Sequence, residues 1–147
     1  VKRKNRELCE KYPFLQPHDW RGDPYPDEDY SYTYLDDMPR GWKKAFGEQM
    51  CEEIMQALKE DGDVDNYRIL QVKEKYGTLH WYDDGASDRV YKIINKYEDI
   101  SERTCCRCGK PATVYSTGWI CPWCDECAAE VGGSFMTKEQ YFGGPGT

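Results

Sequence analysis

From residue 39 to 60, Trp42, Phe46, Met50, Ile54, Ala57 and Leu58 recur every three or four positions, and charged residues fill the gaps. That period places the six side chains on one stripe and predicts the main helix. Asp61-Gly62-Asp63 ends it, and over residues 67–75 the pattern tightens to the alternation of a strand. Gly77 permits a reversal into Thr78-Leu79-His80-Trp81-Tyr82, so the two runs pair as a hairpin. After Asp83-Asp84-Gly85, Ser87 or Asp88 caps a second helix carrying Val90, Ile93, Ile94 and Tyr97 at helical spacing. Helix, hairpin and helix make an α+β layer, with both helices on one face of the sheet.

The N-terminal part is less regular. Residues 2–11 suit a short helix that stops before Pro13. Residues 13–38 are rich in proline and hold no helical period, so a long irregular segment is expected there, with one short strand near residues 30–35. Its rings, Phe14, Trp20, Tyr25, Tyr30, Tyr32 and Tyr34, argue for wrapping over the layer. The expected organisation is an α+β domain over 1–103, a zinc ribbon over 104–131 and a flexible tail over 132–147, in which Phe135, Tyr141 and Phe142 are able to dock locally.

The ribbon rests on cysteine spacing. Cys105/Cys108 and Cys124/Cys127 form two Cys-x-x-Cys pairs, and such a turn swings both sulfurs to one side while Gly109 lets the backbone fold back. Between the pairs, residues 112–115 and 118–120 are predicted as two short strands joined through Ser116-Thr117-Gly118. Four thiolates around Zn²⁺ leave no open coordination position, which gives the ion a structural role. Iron suits the same four sulfurs. Cys106 sits inside the first pair, and Cys121 offers the rival pair Cys121/Cys124; Cys124/Cys127 is favoured because Asp125-Glu126 then fills the turn and Cys127-Ala128-Ala129-Glu130 starts a helix. Disulfides would be crowded, since six of the eight cysteines fall within residues 105–127. Cys9 and Cys51 stand alone and are expected as small apolar side chains.

Composition narrows the function. Aromatic residues reach 14%, with 12 Tyr and 5 Trp, too many rings for a disordered chain. No apolar run has the length of a membrane span, so a membrane partner is not expected. Abundant unpaired or metal-bound thiols point to a reducing cytoplasm. The chain opens on Val1 rather than methionine, which leaves room for an upstream piece. The net charge of −7 is concentrated in residues 18–37, where Asp19, Asp23, Asp27, Glu28, Asp29, Asp36 and Asp37 face only Arg21. Such a surface disfavours phosphate backbones and favours a partner protein with a basic face.

Catalysis is not expected. The two histidines, His18 and His80, lie in no metal-ligand motif, and the chain has no phosphate-binding glycine loop or nucleophile elbow. The acidic pairs Asp36-Asp37, Glu52-Glu53 and Asp83-Asp84 are adjacent rather than spaced to face one another. Nucleic acid is the alternative partner, because the hairpin interleaves Arg68, Lys73, Lys75, His80, Trp81 and Tyr82; Glu74, Asp83 and Asp84 dilute that patch.

The chain also resembles a family of small, largely uncharacterised proteins encoded by bacteriophages and prophages of gut Firmicutes. The residues that carry the likeness are Tyr12-Pro13-Phe14-Leu15, Met38-Pro39-x-Gly41-Trp42-x-x-Ala45-Phe46-Gly47-Glu48-Gln49-Met50-Cys51, Gln71-Val72-Lys73-Glu74-Lys75-Tyr76-Gly77-x-Leu79-x-Trp81-Tyr82 and Gly118-Trp119-Ile120-x-Pro122-Trp123-Cys124-Asp125-Glu126-Cys127. They span about residues 8–130. The resemblance implies that the two outer Cys-x-x-Cys pairs hold the metal without Cys106 or Cys121, and that the protein works in the cytoplasm of an infected or lysogenic host. It brings no function with it. The expected role is therefore a non-enzymatic zinc protein that binds a host macromolecule, foremost a protein, and interferes with a host process such as antiviral defence.

Overall fold

The computed structural model describes residues 2–19, 21, 23–24 and 30–143, and these make an α+β protein. Helix α1 (Lys2–Lys11) buries Leu8 and Cys9 and is followed by a 3₁₀ turn, Pro13–Leu15, that buries Phe14 and Leu15. The main helix is continuous but not uniform: α2 (Arg40–Trp42) passes through one π-helical turn, Lys43–Gly47, into α3 (Glu48–Asp61). Its stripe behaves as the periodicity predicts, with Trp42, Phe46, Met50, Ile54, Ala57 and Leu58 all buried. Gly62 stops it in the left-handed conformation (φ 72°), its N–H returning to the Leu58 and Lys59 carbonyls.

Strands β1 (Arg68–Lys75) and β2 (Thr78–Asp84) pair antiparallel, with Val72 opposite Trp81 and Lys73 opposite His80. A register shift between Ile69 and Gln71 keeps Ile69 and Val72 on the same inner face, where they meet Leu79 and Trp81. Helix α4 (Asp88–Ser101) starts where Ser87 Oγ accepts from the Val90 N–H and packs against both α3 and β2. Buried Val90, Ile94 and Tyr97 complete the core from that side.

The irregular N-terminal segment wraps on β1, as its rings suggest: Phe14 and Tyr34 are buried, and Tyr30 packs on the core. Trp20, Tyr25 and the acidic run 27–29 lie outside the described residues. The short strand expected near 30–35 does not form. Thr33 Oγ1 accepts from the Leu35 N–H and Asp36 Oδ2 accepts from the Thr33 N–H, a reciprocal cap that turns Tyr34–Asp37 into a 3₁₀ helix. Side-chain oxygens have captured the backbone donors a ladder would need.

Candidate metal centre

Past α4 the chain enters a turn in which Gly109 (φ 85°) lets the Gly109 N–H reach back to the Cys105 carbonyl at 3.1 Å. Strand β3 (Val114–Ser116) follows. Its partner β4 is Pro122–Trp123 rather than the predicted 118–120, because Ser116 Oγ accepts from the Cys121 N–H and folds residues 117–120 into a loop. Helix α5 (Asp125–Val131) begins at Cys124, whose sulfur accepts from the Cys127 N–H. Where a flexible tail is expected, residues 135–141 build strand β5 (Phe135–Thr137) on the free edge of β3 and then α6 (Lys138–Tyr141). Aromatic stacking explains the docking: the Tyr141 ring lies 4.0 Å from that of Tyr115 and nearly parallel, and Phe135 meets Trp123 edge-on.

This framework brings Cys105, Cys108, Cys124 and Cys127 together, each sulfur within 4.8 Å of the others. Cys105, Cys124 and Cys127 are buried, with Cys108 and Trp123 packed against them. The Cys108 and Cys124 sulfurs are 3.6 Å apart, near the roughly 3.8 Å edge of a tetrahedron with metal–sulfur bonds of about 2.3 Å. The donor set therefore fits one metal ion.

The electrostatics ask for a cation. Burial pushes the Cys105 thiol up, but hydrogen bonds from the backbone of Cys108, Cys124 and Arg107 and from the Cys108 side chain outweigh it and bring it down to about 7. Burial and its three thiol neighbours push Cys127 the other way, up to about 12. The backbone can stabilise one thiolate; a second and third at this distance repel it unless positive charge sits among them.

Cys106 and Cys121 stay outside the group. Cys106 hydrogen-bonds Cys121, which together with burial pushes its thiol up. The Cys106 backbone is a strut instead, its N–H donating to the Pro122 carbonyl and its C=O accepting from the Gly41 N–H, both at 2.9 Å. Cys9 and Cys51 are buried far along the chain in the main core.

Sequence reasoning missed how the centre is anchored. Gly41 lies so close to the first turn that an added Cβ would sit 2.2 Å from the Cys105 carbonyl oxygen. Next to it, Trp42 Nε1 donates to the Thr104 carbonyl at 2.8 Å. The signal was present in the Pro39-x-Gly41-Trp42 string, but nothing local identifies what the glycine must approach. On the other side, the β1–β2 turn touches the ribbon: Tyr141 Oη donates to the Tyr76 carbonyl (3.0 Å) and Trp119 Nε1 to Glu74 Oε1 (3.0 Å).

The remaining polar candidates do not converge. His18 sits edge-on to Tyr34 and His80 stacks near Tyr82. In two of the three acidic pairs the members take separate partners: Glu52 accepts from Tyr12 while Glu53 accepts from Lys96 and Tyr97, and Asp83 accepts from Tyr67 while Asp84 faces Arg68. Among the described residues no helix is long and apolar enough to cross a membrane. Compared with family models, with curated proteins and with solved structures, the chain matches none.

Proposed function

We propose that this is a non-enzymatic zinc protein that works by contact with another macromolecule, foremost a protein. The closed four-sulfur centre supports a structural zinc, since all four positions of a tetrahedral ion would be filled by the chain. The observation that carries the contact role is exposure. Trp119 and Tyr76 leave 76% and 70% of their surface in water, and Trp and Tyr are the residues on which protein interfaces most often depend. The resemblance to phage and prophage proteins supports a host protein as the target and interference with a host process, including defence, as the outcome.

Affinity capture from a host lysate tests this reading, with the bound protein identified and its binding reproduced from purified components. Retention of one such protein is the expected result. Failure to retain any, combined with oligonucleotide binding that falls steeply with salt, would replace the reading with its rival.

That rival has one specific observation behind it. Lys73, Lys75, His80 and Tyr82 share the open face of the hairpin, with Lys73 Nζ 5.5 Å from the Tyr82 ring centre. Two of the acids that dilute the patch in sequence turn away: Glu74 toward Trp119, and Asp83 inward to Tyr67. Trp81, however, is buried and offers no stacking surface.

A further inference from the structure

Where the tip of the β1–β2 hairpin meets the Ser116–Cys121 loop, the chain builds a cleft of 260 Å³ lined by Glu74, Lys75, Tyr76, Gly118, Trp119 and Ile120. The two most exposed large rings of the described residues flank it. Neither is there by default. The turn at Tyr76-Gly77 has positive φ at both positions, 54° and 83°, a conformation that suits Asn-Gly or Gly-Gly and strains a tyrosine. The strain puts a ring at the tip, in water, where a smaller residue would fold better.

The rings are also held in place. Glu74 accepts from Trp119 Nε1 through one oxygen and from the Gly77 N–H through the other, at 3.0 and 2.9 Å. One carboxylate thus fixes both walls. The loop under Trp119 is braced by Ser116 Oγ, which donates to the Trp119 carbonyl at 2.5 Å and accepts from Trp123 Nε1 at 3.2 Å. Because the indole N–H is already spent on Glu74, Trp119 presents its face to a ligand rather than a donor.

An apolar cleft with two ring faces and a carboxylate at its edge is suited to a cation on an aliphatic stem. Glu102, which accepts from Thr78 beside the turn, adds a second negative charge nearby, and the chain as a whole carries −7. One cation already lies near a ring of the site: Lys75 Nζ rests 5.7 Å from the centre of the Tyr76 ring. We propose that this cleft receives an arginine side chain of a basic partner protein, the planar guanidinium stacking between Tyr76 and Trp119 beside Glu74. This deepens the protein-contact reading and rests on it, while committing to one surface and one anchor residue.

The test uses the zinc-loaded full chain and a capped tetra-arginine peptide, with the neutral citrulline peptide as control. Binding is read by peptide fluorescence polarisation and by the Trp119 indole N–H resonance. The arginine peptide should bind and shift that resonance, and citrulline should bind about tenfold more weakly or worse. Tyr76→Gly and Trp119→Ala should each cost about tenfold in affinity. Tyr76→Gly should melt no lower than the parent chain, since glycine relieves the turn. Lys75→Gln should tighten binding by removing the resident cation. Equal binding of citrulline, no change in either ring variant, or no arginine binding at all overturns the proposal. Weaker binding in Lys75→Gln with preference for an oligonucleotide probe overturns it in favour of a polyanion site. If Tyr76→Gly still captures the same host protein from lysate, the anchor is elsewhere and the broader contact reading stands.

Discussion

Between α3, α4 and the hairpin, Met50, Ile54, Leu58, Ile69, Leu79 and Val90 are entirely removed from water, whereas around the four thiols the buried set is Cys105, Cys124 and Cys127 with Cys108 and Trp123 at the edge. The first region gains about 1.5–3 kcal/mol from each large aliphatic side chain it buries. The second has almost no aliphatic interior of its own, and its strands are two or three residues long. One region folds on the hydrophobic effect; the other has four thiols that could hold a metal ion, a few stacked rings, and a neighbour to lean on through Gly41 and Trp42. With a metal bound there, the same chain is expected to contain a part that tolerates chelation and a part that does not.

The largest effect should come from the ligands. Cys105→Ser or Cys127→Ser, or a strong chelator, should release the metal and collapse the ribbon while most helical circular dichroism remains, because metal-binding free energy is folding free energy in such sites. Loss of all helix together with the metal would erase the distinction between the regions. Next, Leu58→Ala should cost about 2–5 kcal/mol by opening a cavity in the main core, read as a lower denaturant midpoint with metal content unchanged.

Gly41→Ala addresses the seam. The added methyl must push against the Cys105 carbonyl, so a loss of about 1–3 kcal/mol is expected in the denaturant midpoint, accompanied by faster metal release to a chelator. A midpoint shift without faster release would mean the two regions are not coupled there. Smaller still is Glu53→Gln on the far side of α3. Burial raises the Glu53 carboxyl, but hydrogen bonds from Lys96 and Tyr97 and the Lys96 charge outweigh it and hold it below its ordinary 4.5. A lowered carboxylate stabilises the fold at neutral pH and loses that contribution as pH falls through its folded value. The difference between parent and variant, at most about 1 kcal/mol at this partly exposed pair, should therefore be present at pH 7 and close below pH 4.5. Cys106→Ser should be smallest, leaving the bound metal unchanged.

Elements whose cause is local were legible in the sequence. The Trp42-to-Leu58 stripe, the Gly62 stop, the Gly77 reversal and the Ser87 cap each depend on residues within a turn of one another. What depends on distant partners was not. Strand β5 needs the free edge of β3 and the Tyr115 ring as a platform for Tyr141, and glycines around it read as mobility. The short strand near 30–35 lost to a cap whose Thr33 and Asp36 were visible but whose competition with an absent ladder partner was not. At the centre, the spacing showed two pairs and a rival in Cys121; the fold groups four thiols because α5 starts at Cys124, while Cys121 turns to Cys106.

Metal content bears most directly on the central claim. Elemental analysis of protein purified under reducing conditions should find one zinc per chain, retained in Cys106→Ser and lost in Cys105→Ser and Cys127→Ser. A metal-free parent chain that is nonetheless folded through the ribbon, or zinc that survives both ligand substitutions, would contradict the account.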